Sequence, residues 1–254
     1  MLNGHPTWAR LPKKKGPTVL LLHGGMSSSR SLLKSIGPGL SETFRVAAFD
    51  RRGHGRTADT DAGFHYDDMV DETVSFLEYL GRRCHVIGHS DGGIIALLVA
   101  QRRPDLVKRV IAVGANFHFN GLVPMAQFDT SSEGYEQWAQ KYAQLSPDGL
   151  EHAASVLEKT MAMFASEPAL SASDLSTLTR PVLVMSGDDD LITLEHTCAL
   201  YQALPNAQLA IVPGTSHAVL KERTRESVRI MRHFLLSKLP VTTYMPVRRA
   251  LTNS

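Results

Sequence analysis

The sequence predicts an α/β fold: a mostly parallel, doubly wound sheet of about seven or eight strands with a small helical cap. Three observations carry this. Short apolar runs alternate with helical periodicities along most of the 254 residues. The alternation lapses between about 116 and 178, where only helical patterns remain. A glycine-flanked serine sits where a strand gives way to a helix. Strands alternating with helices imply crossover connections, a parallel sheet and helices on both faces. The predicted organisation is a core of residues 1–115 and 179–239, a cap of 116–178 and a tail of 240–254.

In chain order, Thr18–Leu22 follows Pro17 as a buried strand. Ser29–Leu40 is helical but interrupted at Gly37-Pro38, and Phe44–Phe49 is a strand. Asp67–Leu80 carries Met69, Val70, Val74, Leu77 and Leu80 at helical spacing, with Gly81 as a stop signal. Cys84–Gly88 is a strand, Gly92–Arg102 a mostly apolar helix and Val107–Val113 a strand. In the cap, helices are expected over Gln137–Leu145 and Leu150–Ala165, separated by Pro147-Asp148-Gly149. The cap is rich in large side chains, among them Phe117, Phe128 and Trp138; most fill its own core and a minority line a pocket. Beyond it, Val182–Met185 is a strand, Thr193–Ala203 a helix, Gln208–Val212 a strand and Arg223–Leu239 a long amphipathic helix.

Composition narrows the function classes. With 43% apolar and 20% charged residues the chain is an ordinary globular protein. Twenty-seven Lys and Arg against 25 Asp and Glu leave a formal charge of +2, too little to argue for a nucleic-acid or membrane partner. The basic clusters Lys13-Lys14-Lys15 and Arg248-Arg249 read as solvated ends. The longest apolar run, Ile94–Ala100, is far short of the ~20 residues that span a bilayer. Two cysteines, Cys84 and Cys198, fit reduced thiols packed in a core. The expectation is a cytoplasmic protein acting on a small molecule, with a homodimer as an open option. No metal-ligand spacing and no dinucleotide-binding loop stands out, so neither metal nor cofactor is expected.

The chemistry concentrates at Gly88-His89-Ser90-Asp91-Gly92. A strand that turns at once into a helix strains its apex residue and brings the residues two before and two after into contact. Both must be small, and Ser90 is then presented on the tip. A serine hydroxyl needs a positioned base, and the base needs an orienting acid. His217 lies in Pro213-Gly214-Thr215-Ser216-His217, directly after a strand, where the sites of parallel sheets fall. The acid belongs to Asp188-Asp189-Asp190. Asp190 precedes apolar Leu191-Ile192, which would bury it against the imidazole, and is favoured; Asp188 is next. Oxyanion donors should be the Asp91 amide, at a helix start, and an amide of His23-Gly24-Gly25-Met26, with Gly25 chosen and Met26 the alternative.

These residues resemble the α/β-hydrolase family, as does Asp50-Arg51-Arg52-Gly53-His54-Gly55-Arg56-Thr57, similar to that family's D-x-R-G-x-G-x-[ST] loop. The resemblance covers roughly residues 7–239. It implies cofactor-free acyl-enzyme chemistry on carboxylic esters and a cap that selects substrate. Lactone or carbon–carbon bond hydrolysis on the same triad is the alternative, and a non-catalytic ligand-binding module a more distant one. The N-terminus departs from the pattern: it leaves room for a single strand, at Thr7–Leu11, where the family often has a hairpin. Gly88-His89-Ser90-Asp91-Gly92-Gly93-Ile94 and Gly114-Ala115-Asn116 look like a carboxylesterase branch that includes amino-acid-ester prodrug hydrolases. Substrate-binding candidates are Asp91, Met26, Phe117 and Trp138. The Asp91 carboxylate either pairs with Arg51, Arg52 or Arg56 or receives a substrate ammonium.

Overall fold

The computed structural model describes residues 1–11, 15–123 and 131–238. Phe128, Lys13, Lys14, Leu239, Arg248, Arg249 and the 240–254 tail lie outside the described residues.

Seven strands form one sheet in the order β1-β3-β2-β4-β5-β6-β7. They are β1 (Ala9–Arg10), β2 (Thr18–Leu22), β3 (Arg45–Phe49), β4 (Cys84–His89), β5 (Val107–Val113), β6 (Val182–Asp189) and β7 (Ala207–Ser216). All neighbours run parallel except β1, which pairs antiparallel to β3 through Ala9↔Phe49 and Arg10↔Ala48. Alternate residues of each strand feed two cores, as the period of two requires. Leu20, Leu22, Ala47, Phe49, Val110 and Ala112 face one core; Val19, Leu21, Val46, Ala48, Ile111 and Val113 face the other. The continuous apolar runs in β2 and β5 follow from that two-sided burial.

Helices α1 (Ser29–Lys34), α2 (Gly37–Ser41), α3 (Tyr66–Leu80) and α4 (Asp91–Arg102) alternate with the first strands. Between β5 and β6 lie a 3-10 turn, Phe119–Gly121, and helices α5 (Glu133–Ala143), α6 (Ala153–Phe164) and α7 (Ala172–Ser176). Helices α8 (Leu194–Ala203), α9 (Val219–Glu222) and α10 (Thr224–Leu236) complete the chain. The first helical stretch breaks one step earlier than expected. Ser35 and Ile36 separate α1 from α2, and Pro38 stands in the first turn of α2, where its missing N–H costs nothing.

Strands β6 and β7 run past their expected ends at Met185 and Val212, staying paired to Asp189↔Ser216 across a register shift. Their extensions, Ser-Gly-Asp-Asp and Pro-Gly-Thr-Ser, are turn-type sequences held extended by each other. A Cβ on Gly187 would lie 2.2 Å from the Thr215 carbonyl oxygen, so the close pairing needs a glycine there. This ribbon carries the segments that hold Asp190 and His217 beyond the sheet. No helix among the described residues is long and apolar enough to cross a membrane.

Candidate functional site

Ser90 has φ 54° and ψ −124°, in the left-handed half of backbone space that a β-carbon disfavours. The conformation is held from both sides. The Ser90 N–H donates to the Val113 carbonyl of β5 at 2.8 Å, and the Ser90 carbonyl accepts from Gly93 N–H at 2.7 Å. A Cβ on Gly88 would fall 1.9 Å from the Gly92 carbonyl oxygen, and one on Gly92 would fall 2.1 Å from that of Leu22. The glycine spacing thus reflects backbone contact across the strand–helix junction.

His217 and Asp190 meet beyond the β6–β7 ribbon. His217 Nδ1 is 2.6 Å from Asp190 Oδ1, and the Asp190 side chain is 1% exposed. Asp190 also accepts from the Ile192 N–H at 3.1 Å and from Ser186 Oγ at 3.0 Å. Burial pushes its carboxyl up, but the hydrogen bond and charge of His217 together with these donors bring it below the usual carboxylate value. Gly114, at φ +55°, backs the pair: a Cβ there would lie 3.0 Å from the His217 ring. The His217 carbonyl oxygen is 2.8 Å from Nε2 of His89, which anchors the loop to the serine turn. Burial, helped by positive charge at His217 and Lys221, lowers the His89 pKa to about 4, so its ring is neutral at pH 7.

Asp188 is spent elsewhere. Its carboxylate accepts from the Thr215 N–H at 3.0 Å, and backbone N–H groups of Gly214 and Thr215 lower its pKa. Ser90, Asp190 and His217 share the wall of one cavity of about 620 Å³, with Gly24, Gly25 and Met26 on the same wall. Among the described residues no group of three or more His, Cys, Asp or Glu side chains could hold a metal ion.

The loop after β2 is clamped through its carbonyls. Arg51, fully buried, donates from Nη1 to the His23 carbonyl and from Nη2 to that of Gly24 at 3.2 Å. Trp138 Nε1 donates to the Met26 carbonyl at 2.7 Å, and Met26 itself has φ 51°. These bonds hold the peptide planes that carry the carbonyls of His23, Gly24 and Met26. The Asp91 amide stands in the first turn of α4, where helix N–H groups lack intrahelical acceptors. Such an arrangement can stabilise negative charge developing on an oxygen beside Ser90.

Three of the residues expected to bind substrate are not on the wall of the Ser90 cavity. The Asp91 side chain is 2% exposed and is not on the cavity wall. It lies 3.7 Å from Arg51 Nη2 and accepts from Tyr66 Oη at 3.2 Å. Burial pushes its carboxyl up against the opposing pull of Arg51. It also abuts Gly25, where a Cβ would lie 2.6 Å from Asp91 Oδ2. The carboxylate therefore braces the β2 loop and faces Arg51 and Tyr66 rather than the cavity. Phe117 is not on the wall either; its ring stacks on His196 at 4.0 Å, and its N–H donates to His196 Nε2 at 3.1 Å. Trp138 lines a neighbouring chamber rather than the Ser90 cavity.

Sequence reasoning named Arg51 only as one of three partners for Asp91. Its two carbonyl contacts left no signal, because Arg52 and Arg56 stand in the same motif. Those two go elsewhere: Arg56 pairs with Asp50 at 2.7 Å and Arg52 with Asp59 at 3.0 Å. Asp59 was missed altogether. It is 1% exposed and also binds His152 at 2.9 Å and Lys159 at 2.7 Å, tying the core loop to α6.

The chain matches the model of the alpha/beta hydrolase family over residues 19–230, and it belongs to that family. Among curated relatives, "Putative carbamate hydrolase RutD" of Stutzerimonas stutzeri is 28% identical, over 79% of this chain and 84% of that one. The protein of the same name from Variovorax paradoxus is 30% identical, over 80% and 85%. Among solved structures, the enol-lactonase of Burkholderia xenovorans LB400 superposes with a TM-score of 0.74 at 20% identity, covering 93% of this chain and 98% of that one. The protein is accordingly a hydrolase of α/β-hydrolase fold.

Proposed function

We propose that the protein is a serine hydrolase that cleaves carboxylic esters of small molecules through an acyl-enzyme. The observation that carries this reading is the buried Asp190 carboxylate 2.6 Å from His217 Nδ1, on the wall of the cavity that holds Ser90. Asp190 fixes the imidazole so that Nε2 is its free face. Ser90 Oγ attacks the ester carbonyl carbon as His217 takes its proton. The oxyanion is received by N–H groups of Asp91 and of Gly25, with Met26 as the alternative donor. His217 then gives its proton to the departing alkoxide, leaving an ester on Ser90. Water, deprotonated by the same histidine, releases the acid and restores the serine. No step calls for a cofactor, and a cavity of about 620 Å³ fits a small-molecule substrate.

The second reading keeps the triad and changes the bond: a lactone, as the name of the Burkholderia structure suggests, or a carbamate, as the names of the two relatives suggest. Purified protein assayed on p-nitrophenyl esters, lactones and aryl carbamates separates them. The proposal expects turnover of the esters, lost in Ser90→Ala and reduced by several orders of magnitude in His217→Ala. Turnover of lactones or carbamates alone moves the protein to the second reading. Ester turnover that survives in Ser90→Ala rejects the mechanism.

A further inference from the structure

A second chamber, of about 230 Å³, lies beside the Ser90 cavity, between the cap helices, the α1 segment and α9. The two share Met26, Ser27, Ser31 and Lys221 as wall residues, so Lys221 stands at their junction. Lys141, from α5 of the cap, is on the wall of the second chamber alone. Neither lysine ammonium has a hydrogen bond or an ion pair among the described residues, whereas Lys159 of the same cap is paired with Asp59. The described wall of the chamber contains no Asp or Glu. Its remaining polar groups are serine hydroxyls, the Tyr142 phenol and the buried ring of His54. Burial and the Arg51 charge lower the His54 pKa to about 4, so that ring adds no charge at pH 7. Trp138 supplies a flat apolar wall, its N–H already given to Met26. The chamber is thus a cationic recess adjoining the cavity that holds Ser90, with its charge on two side chains from different parts of the fold.

We propose that this chamber selects substrates carrying a carboxylate away from the scissile ester bond, held by Lys221 and Lys141. The selectivity rests on the serine-hydrolase reading above. It gives the cap a chemical reason to sit over the site: α5 brings the Lys141 ammonium that the sheet domain lacks. Both lysines are exposed, so the attraction is partly screened and falls with ionic strength.

The test compares p-nitrophenyl half-esters of dicarboxylic acids, from malonic to adipic, with esters in which a methyl group replaces the free carboxylate. Expected is a ratio of kcat/KM, anionic over neutral, of about tenfold at the best chain length and low ionic strength, the scale of a charge-assisted contact. The ratio should fall towards one in Lys141→Met/Lys221→Met and shrink between low and high salt. A ratio near one along the whole series, or one unchanged in the double variant, overturns the selectivity while leaving ester hydrolysis standing. Binding of glutarate to Ser90→Ala, followed by calorimetry, needs no turnover. Binding in the millimolar range or tighter, weakened about tenfold when Lys141→Met and Lys221→Met are added to Ser90→Ala, supports the anion site even if the ester reading fails. Glutarate that does not bind, or binds equally to both proteins, overturns it.

Discussion

Three adjacent aspartates differ in role because of what surrounds each carboxylate. Asp190 is buried and faces His217, whereas Asp188 is exposed and holds backbone N–H groups of the opposite strand. Asp190→Asn is therefore expected to lower kcat by ~10⁴, the scale of the protease aspartate-to-asparagine change, and Asp188→Asn by far less. Steady-state kinetics on one ester decides it, and the reverse ranking would move the acid to Asp188. Local sequence gave part of this away: buried Ile192 follows Asp190 and donates its N–H to the carboxylate, whereas Leu191, also expected to cover it, is 40% exposed. The fate of the Asp91 carboxylate was not legible, because its partners Arg51 and Tyr66 are 40 and 25 residues away. With that side chain braced against Gly25, Asp91→Ala should lower kcat/KM about equally on an amino-acid ester and on the matching ester without the amino group. A selective loss on the amino ester would restore ammonium recognition.

Elements were legible where periodicity is strong and illegible where neighbours override it. The strands β2, β3 and β5 announce themselves by apolar runs, and α4 by its glycine-rich start. The last residues of β6 and β7 do not, since turn-type residues are held extended only by pairing with each other. Short helices such as α7 and α9 escape a reading that needs several turns. The helices between β5 and β6 share an apolar core with the sheet through Ala139, Val156 and Met163, and the polar contacts that also tie them to it were equally hidden, because they join distant segments. Asp59 gathers Arg52, His152 and Lys159, and Glu167 accepts from Tyr66 N–H at 3.0 Å and lies 2.6 Å from His65 Nδ1. Removing one member of a buried charge group leaves the others uncompensated, but Arg52, His152 and Lys159 are partly solvated. Asp59→Ala should thus cost on the order of 1–3 kcal/mol and raise amide exchange in α6 before that in β2 or β4. Uniform exchange across cap and sheet would show that this contact does not govern the cap.

Across the whole molecule, several histidines are held neutral by the fold. Burial lowers His54, His85, His89 and His196 to about 4, with nearby positive charge adding to the effect. An unfolded chain takes up protons on these rings near pH 6.5, and the folded chain only near pH 4. The unfolded state thus binds more protons in this window, and stability falls as pH drops from about 6.5 towards 4. Thermal denaturation should show Tm lower by on the order of 10 °C at pH 5 than at pH 7. A flat Tm over that range would mean that these rings titrate normally in the folded protein.

The sheet with a core on each face that buries those rings presents Ser90 at a strained strand–helix turn, and the proposed mechanism requires that serine to become acylated. Intact-protein mass spectrometry during turnover of p-nitrophenyl acetate, followed by peptide mapping, measures this directly. The account predicts one acetyl group per chain, mapped to Ser90, accumulating in His217→Ala too slowly to detect and absent in Ser90→Ala. Turnover with no covalent adduct at Ser90, or an adduct on another residue that forms equally in Ser90→Ala, would contradict it.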